Sequence, residues 1–458
     1  MNTMRETLNY LYQFINYERS PDVKYSAETY NLDNFKEILN VLGNPQFSAK
    51  TIHVAGTKGK GSTAAMIMVM LESAGYKTGL YTSPHLVDIR ERIRVSGKAI
   101  SEDDFIRHIS YLASVLENVH KNKFAGYRTT FEFLTAAAFL HFCHQETDWN
   151  IIEVGMGGRL DCTNAVKPVI SVITPISKDH IESLGGQLQQ IAAEKGGIIK
   201  PEVPVVIAPQ RAVVTKTLRS IARRLPSKII PSGKDINITI KEISSTGSVF
   251  DVSIANKRFS EVYLPVSGLF QMDNLVTALS VIHHMKTMGM ISVEWDNMLD
   301  GLKRMNWQGR LSRLILNPWF KANQSPYLFA DGAHNPAAAV RISESFLHMY
   351  PEQKATLVMG LPTNKDADGF IKALLPIASE FVATTYDNPR SSKPDRLIPI
   401  FRHYHVPYLT ANSISEAISL VFKDDRRVSS VIVTGSLYLI GELYRFAGKA
   451  DLVLDILR

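Results

Sequence analysis

The chain has 458 residues, a formal net charge of +7 and 45% hydrophobic residues, which is ordinary for a globular protein of roughly two to four domains. Its basic residues are spread along the chain, so the charge does not indicate a nucleic-acid-binding protein. Two cysteines, Cys143 and Cys162, exclude a disulfide framework and favour a reducing compartment.

Neither a signal peptide nor a membrane span is expected. Residues 1–20 lack a continuous apolar core, and no apolar run approaches the roughly 18 residues of a spanning helix. We therefore expect a cytoplasmic protein that acts without a membrane.

From residue 51 to residue 207, short apolar runs alternate with longer helical patterns, which predicts βαβ units and a mostly parallel sheet. The predicted strands are 51–55, 78–82, 150–154, 169–173 and 203–207. The predicted helices lie near 62–74, 101–119 and 131–144. Period-two alternation between residues 236 and 265 predicts a small antiparallel sheet added to this domain.

A second alternation follows a helix at 272–288 and an irregular stretch at 305–309. Its predicted strands are 327–330, 355–359, 381–384 and 430–434. The predicted fold class is therefore α/β, with a P-loop-type N-terminal domain (1–304), a linker (305–309) and a smaller α/β C-terminal domain (310–458).

The most informative stretch is Thr-Ile-His-Val-Ala-Gly-Thr-Lys-Gly-Lys-Gly-Ser-Thr, at residues 51–63. A β-branched run, a glycine-rich turn with lysines and a hydroxyl pair precede a helix, the order that a phosphate-binding loop requires. The standard P-loop differs, because Val54 stands where it has glycine and Gly61 separates Lys60 from Ser62. A chance glycine-rich turn is the alternative.

Polar residues follow several predicted strands, where ligands bind in open α/β sheets. They include Ser83 and the segments 155–164, 179–185 and 331–336. Glu153 lies within an apolar strand, so its carboxylate requires a cation. Magnesium beside a nucleotide and a buried salt bridge are the alternatives. His180 and Lys195 are further candidate site residues. The alternative for His180 is a structural histidine, and for Lys195 a solvated lysine.

Arg90, Arg92 and Arg94 alternate as one face of a short strand would. The pattern is compatible with a solvated face or with help in binding a polyanionic ligand.

Together these segments resemble one family, the folylpolyglutamate synthases and dihydrofolate synthases, which are relatives of the Mur cell-wall ligases. The resemblance runs in order over nearly the whole chain. It rests on residues 56–62, 83–86, 153–164, 179–185, 194–198, 270–274, 309–311, 331–336 and 435–442. The Lys-Gly-Ser form of the loop favours the folate branch over the Mur branch.

The resemblance implies an ATP-dependent amide ligase with its active site between two domains. Gly59, Lys60, Gly61 and Ser62 would then hold the phosphates of ATP. The residues matching the magnesium ligands of the family are Ser62, Ser83, Glu153 and His180. Those matching its adenine, phosphate and ribose contacts are Asn274, Arg310 and Asp331, respectively.

Three residues are the candidate catalytic groups: Lys60, Lys195 and His334, the last as support for its loop. Lys195 matches a lysine that the family carbamylates, which would provide a ligand for a second magnesium ion. Arg159 and Asp161 are the candidate substrate contacts.

The implied reaction joins L-glutamate to the carboxylate of a folate or dihydropteroate through an acyl phosphate. These small molecules and ATP are the expected partners, and a monomer is the expected state. Lys58, Cys162 and Gly196 depart from common forms of the motifs, which leaves the choice of acceptor open.

Three other functions are alternatives to a folate-type ligase. A Mur-type ligase acting on a UDP-sugar would have a longer domain before the loop. A plain P-loop kinase or GTPase would not account for residues 331–336. A nucleotide-binding module without activity would tolerate the loss of Lys60 or of a metal ligand.

Overall fold

The computed structural model describes residues 1–16, 31–120, 129–178, 184–316, 327–423 and 428–457. Within them, no helix is long and apolar enough to cross a membrane.

An eight-stranded sheet forms the centre of the first domain. Its strands are β1 (Lys50–Ala55), β2 (Thr78–Tyr81), β3 (Ile93–Val95), β4 (Lys98–Ala99), β5 (Trp149–Glu153), β6 (Pro168–Ile173), β7 (Val205–Ile207) and β8 (Ile229–Pro231). The spatial order is β4-β3-β2-β5-β1-β6-β7-β8, and only the β2–β3 and β3–β4 pairs are antiparallel. The predicted strands are confirmed to within a few residues. Since β1 lies between β5 and β6, the loops that follow these three strands meet at one edge.

Nine helices of the described residues belong to this domain. They are α1 (Met4–Leu11), α2 (Leu32–Val41), α3 (Lys60–Ser73), α4 (Glu102–His120), α5 (Thr130–His144), α6 (Leu188–Gly196), α7 (Ala212–Arg224), α8 (Leu269–Thr287) and α9 (Trp295–Gly301). Helix α3 is apolar on all sides from Ala64 to Leu71 because it packs between the sheet and helices α8 and α9. The predicted antiparallel sheet is confirmed as β9 (Ile236–Ile243), β10 (Ser248–Ile254) and β11 (Lys257–Leu264).

The second domain has a six-stranded sheet. Its strands are β12 (Ser312–Leu314), β13 (Tyr327–Asp331), β14 (Ala355–Met359), β15 (Ala378–Ala383), β16 (Tyr408–Thr410) and β17 (Ser430–Thr434), in the order β12-β13-β17-β14-β15-β16. Helices α10 (Pro336–Met349), α11 (Ala367–Leu374), α12 (Ile398–His403), α13 (Ile414–Val421) and α14 (Leu437–Phe446) complete it. The four strands predicted here are confirmed.

The prediction that three alternating arginines share one strand face is wrong. Arg90 and Arg92 lie in a 3-10 helix (Ile89–Arg92), and Arg94 alone lies in β3. Each of the three guanidinium groups has a hydrogen-bond or ion-pair partner within the protein. Arg90 pairs with Asp88, Arg92 donates to Nδ1 of His85, and Arg94 donates to backbone carbonyls.

Candidate active site

The glycine-rich loop connects β1 to α3 at the edge where the strand-end loops meet. Its Thr57 and Lys58 N–H groups donate to the carbonyl of Pro175, at 3.0 and 3.2 Å. Gly59 precedes the helix with φ +81° and offers no capping side chain. The first-turn N–H groups of α3 therefore lack a side-chain cap, which suits an anion at this helix N-terminus.

The buried carboxylate of Glu153 lies beside this loop. Its Oε1 is 3.7 Å from Nζ of Lys60, and its Oε2 accepts a hydrogen bond of 3.1 Å from the N–H of Ser83. Burial raises the pKa of Glu153, although the charge of Lys60 and the Ser83 hydrogen bond act in the opposite direction. A second cation would stabilise the ionised carboxylate further.

The surrounding side chains fit magnesium. The hydroxyls of Ser62 and Ser83 make no hydrogen bond with any described residue. The backbone N–H of Ser83 donates to Glu153, and Ser62 lies two residues after Lys60, which pairs with Glu153. Carboxylate and hydroxyl oxygens are the hard ligands that this ion binds, usually together with water and phosphate. His180, the remaining predicted ligand, lies outside the described residues.

Residues of the second domain face the same site. Both oxygens of the buried Asp331 carboxylate accept backbone N–H groups, from Leu311 and from Ala333, at 2.8 Å each. Burial raises the pKa of Asp331, whereas the charges of Arg310 and Lys58 lower it. The charge of Arg310 also lowers the pKa of Glu153. Arg310 is therefore electrostatically coupled to a carboxylate in each domain.

The predicted adenine contact, Asn274, lies against the phosphate loop. A Cβ atom built on Gly59 would be only 2.1 Å from Oδ1 of Asn274. The Asn274 amide also donates to Oε1 of Gln271, at 3.0 Å. Gln271 was missed in the sequence, although its position three residues before Asn274 on one helix places both on the same face.

His334 and Asn335 shape the loop after β13. Nδ1 of His334 lies 3.0 Å from the carbonyl oxygen of Gly332. The side chain of Asn335 accepts from the N–H of Ala338 and so caps α10. Both contacts are local, which agrees with a supporting role for His334.

The loop after β5 brings Arg159, Asp161 and Lys195 into one region. Arg159 is 56% exposed and its guanidinium lies 2.8 Å from Oε1 of Glu194. The Asp161 carboxylate is buried and accepts from the N–H groups of Met156 and Thr163 and from the Thr163 hydroxyl. Asp161 therefore organises the loop, and Arg159 alone of this pair is exposed.

Lys195 is almost fully buried near the end of α6. Burial raises the pKa of Asp161, and the charge of Lys195 is among the influences that lower it. The glycine at 158 permits this packing, because a Cβ there would be 2.7 Å from the carbonyl oxygen of Glu194. The solvated-lysine alternative does not describe Lys195.

Two further residues of the site were missed in the sequence. The buried Glu91 carboxylate accepts from the N–H groups of Leu86, Val87 and Asp88, and thus holds the loop that contains Ser83. Trp307 lines an open cleft of about 430 Å³ between the domains, together with Pro84, Arg310 and others. In the sequence, the one indication of its role is that Trp307 is an aromatic residue within the irregular stretch 305–309.

Comparison with known proteins agrees with this geometry. The family model described as the Mur ligase middle domain matches residues 54–282, and the dihydrofolate synthetase C-terminal domain matches residues 319–446. A dihydrofolate synthase/folylpolyglutamate synthase of Bacillus subtilis is 30% identical over 417 residues, which is 90% of this chain and 94% of that protein. The chain belongs to the folylpolyglutamate synthase/dihydrofolate synthase family.

Two other members of this family are similarly close. A dihydrofolate synthetase of Saccharomyces cerevisiae is 30% identical over 428 residues, 90% of this chain and 97% of its own. The structure of Mycobacterium tuberculosis folylpolyglutamate synthase complexed with ADP and AMPPCP superposes with a TM-score of 0.84 and 29% identity, over 97% of this chain and 98% of that one. The predicted family, fold and enzyme class are thus confirmed, and the protein is an ATP-dependent, amide-forming ligase.

Proposed function

We propose that this ligase adds L-glutamate to the carboxylate of a folate or a dihydropteroate, using ATP. The observation that carries the proposal is the coupling of Arg310 to Glu153 and to Asp331. This coupling supports a site in which the phosphate loop, the Glu153 carboxylate and the second domain surround one cleft. The relatives are named dihydrofolate synthase/folylpolyglutamate synthase and dihydrofolate synthetase, which supports a folate or a dihydropteroate as the acceptor.

ATP would be held from both sides of the cleft. Gly59, Gly61 and Ser62 would hold its phosphates by their backbone N–H groups, with Lys60 on the outer phosphates. Asn274, already against Gly59, would contact adenine. Arg310 would bind phosphate, and the second domain would contact ribose near Asp331, whose oxygens already hold two backbone N–H groups.

The proposed reaction has two steps, and both develop negative charge on phosphate oxygens. A carboxylate oxygen of the acceptor attacks the γ-phosphorus of ATP, the bond to ADP breaks, and an acyl phosphate forms. The amine of L-glutamate then attacks the acyl carbon, loses a proton, and phosphate leaves. Lys60 and Arg310 would neutralise charge on the transferred phosphoryl group. Magnesium, bound by Ser62, Ser83, Glu153 and His180, would supply further charge neutralisation.

The loop after β5 would form the acceptor side of the site. Exposed Arg159 suits an anionic substrate, whereas Asp161 would act indirectly, by shaping the loop. A carbamate on Lys195 would place an anion near the buried Asp161 carboxylate. Two neighbouring buried anions would need a cation to balance their charge, so carbamylation and a second magnesium ion belong together in this proposal.

We further propose that the enzyme is a cytoplasmic monomer. Its division into residues 1–304, 305–309 and 310–458 stays a prediction, and the matched family models lie on either side of that linker. The partners are small molecules.

The deciding experiment measures ADP release by the purified protein with Mg-ATP and L-glutamate. The acceptor is 7,8-dihydropteroate, tetrahydrofolate or a UDP-sugar, and product mass shows whether one glutamate is added. Turnover with both pteridines identifies a bifunctional enzyme, and turnover with one identifies its branch. Turnover with the UDP-sugar alone would overturn the folate assignment in favour of a Mur-type ligase.

A further inference from the structure

The end of the chain does not stay in the second domain. After α14 the chain returns to the first domain through residues 452–457, the C-terminal tail. Its first two residues still pack in the second domain, and the rest lie against the edge of the first-domain sheet. The N–H of Ala99 donates to Leu454, and the N–H of Ile456 donates to Gly97, at 3.1 and 2.8 Å. The Ile456 side chain is buried in the core of the first domain. The tail thus forms a second connection between the domains, beside the linker.

Two side chains from outside the tail bind its backbone. The Arg94 guanidinium, on β3, donates to the carbonyl oxygens of Val453 and Leu454, at 2.6 and 3.4 Å. The Asn306 amide, on the linker, donates to those of Leu452 and Asp455, at 2.6 and 2.8 Å. Arg94 is 3% exposed with the tail in place, so the tail both covers this guanidinium and accepts two of its hydrogen bonds.

The same two residues flank Trp307. The guanidinium carbon of Arg94 lies 5.8 Å from the centre of the indole ring, and Asn306 precedes Trp307 in the chain. The ring also approaches the phosphate loop, since a Cβ atom on Gly61 would lie 3.1 Å from Trp307 Cζ2. A continuous path of contacts therefore leads from the tail through Arg94 and Trp307 to the phosphate loop.

The linker is also tied to the second domain. The Tyr444 hydroxyl donates to Oε1 of Gln308 at 2.6 Å, and the Gln308 amide donates to Oδ1 of Asn306. Asn306 thereby connects α14, the linker and the tail. A shift of the tail would change the position of the linker relative to both domains.

We propose that the C-terminal tail is a positioning element of the ligase: by holding Arg94 and Asn306, it keeps Trp307 against Gly61 and sets the orientation of the two domains across the cleft. Arg94 and Asn306 line the same cleft as Trp307, and their effect is assigned to the position of Trp307 and of the two domains. The effect on rate follows because the acceptor and ATP must be aligned to within about 1 Å, and a misplacement of that size costs roughly 100-fold.

The test uses two variants of the full chain. Asn306→Asp preserves shape but places an acceptor opposite two carbonyl oxygens. Arg94→Lys preserves charge but replaces the planar guanidinium, which donates from two separate nitrogens to Leu454 and Val453, with a single ammonium nitrogen. Asn237→Asp, on the exposed side of β9, is the matched control. Measurements are kcat, KM for ATP and the melting temperature of each protein.

We expect kcat to fall at least tenfold in both variants, with KM for ATP changed less than about threefold, and no change in the control. A spectroscopic reading separates positioning from loss of stability. Protein labelled with 5-fluorotryptophan is studied by ¹⁹F NMR, with the Trp307 signal assigned by its absence in Trp307→Phe. In folded Asn306→Asp this signal should shift, and its response to Mg-AMPPCP should shrink.

Wild-type kcat together with an unchanged Trp307 signal in Asn306→Asp would overturn the proposal. The same follows if both variants lose only melting temperature. If Arg94→Lys does not fold, Asn306→Asp decides alone. The rate measurement rests on the proposed ligase function, whereas the NMR measurement does not. Absence of turnover by the wild-type protein would count against that function, and the Trp307 signal would still test the tail.

Discussion

Lys60 and Glu153 form an ion pair at the phosphate loop, with Nζ 3.7 Å from Oε1. The carboxylate is nearly fully buried, and Lys60 is the first among the groups that lower its pKa against the effect of burial. Both residues therefore serve two purposes in the apo protein and in the proposed reaction. They balance each other's charge in this structure, and in the proposed reaction Lys60 would bind phosphate and Glu153 a metal ion.

Lys60→Ala should abolish most ligase activity, by roughly 100-fold or more, because it removes charge neutralisation at the transferred phosphoryl group. Single-turnover ADP formation at saturating Mg-ATP measures the loss. Lys216→Ala, on the exposed surface of α7, is the matched control. Full activity of Lys60→Ala would remove this lysine from the mechanism.

Glu153→Gln should reduce activity by a similar factor while the protein stays folded. Because burial raises the pKa of this carboxylate in the folded state, ionised Glu153 weakens stability, and a neutral amide relieves that cost. We expect the variant to melt within a few degrees of the wild type and to bind Mg-ATP more weakly. Isothermal titration with and without magnesium measures the binding. Equal magnesium dependence in the two proteins would contradict the predicted metal ligand.

Gly59→Ala should weaken ATP binding by at least tenfold. The substitution strains a backbone at φ +81° and brings a methyl group to 2.1 Å from Oδ1 of Asn274. Gly75→Ala separates the two causes, because Gly75 has φ +87° and open space around its Cβ position. Gly75→Ala should lose about 1–2 kcal/mol of stability because alanine disfavours a left-handed backbone, and Gly59→Ala should lose more because its methyl group also meets Asn274. The control should bind ATP normally. Equal ATP affinity in both would show that the Asn274 contact is irrelevant to binding.

Arg159→Ala should raise KM for the folate or dihydropteroate acceptor without changing the melting temperature. The Arg159–Glu194 ion pair is exposed on the arginine side, so its contribution to stability is small. Arg258→Ala removes a comparably exposed ion pair, to Asp251, from the small antiparallel sheet, and it should leave KM unchanged. The initial rate as a function of acceptor concentration measures the effect. An unaltered KM in Arg159→Ala would exclude the substrate contact.

Three buried histidines should make the protein less stable in acid. Burial lowers the pKa of His53 to about 3 and those of His108 and His141 to about 4. The unfolded chain binds more protons between pH 6.5 and about 4, so the free energy of unfolding falls as pH decreases through this window. Between pH 7 and pH 5 each histidine should account for up to about 2 kcal/mol.

Urea unfolding of the wild type, His53→Asn and His108→Gln at both pH values tests this expectation. Each variant should lose part of the pH dependence, whereas His348→Gln, at an exposed position, should retain all of it. The same pH dependence in all four proteins would show that carboxylates alone produce it.

Much of the site could be predicted because its signals are local. The run from residue 51 to residue 63 predicts a strand, a turn and a helix N-terminus, and the structure has that order. Glu153 was recognisable as a carboxylate in an apolar strand. Asp161 was predicted as a substrate contact on the loop after β5, but its oxygens are occupied by N–H groups of its own loop. Residue type alone does not distinguish a carboxylate that faces a ligand from one that organises its loop.

The order of strands and helices, the phosphate loop and the family could all be predicted from the sequence, because they depend on periodicity, on glycine and on motifs within short segments. Which distant groups meet depends instead on how the chain packs. Arg94 and Val453 are 359 positions apart, yet they share a hydrogen bond of 2.6 Å. Likewise, the charge of Arg310 lowers the pKa of one carboxylate in each domain, Glu153 and Asp331. Such pairings follow from the packing of two sheets and the return of the chain end, which no local pattern encodes.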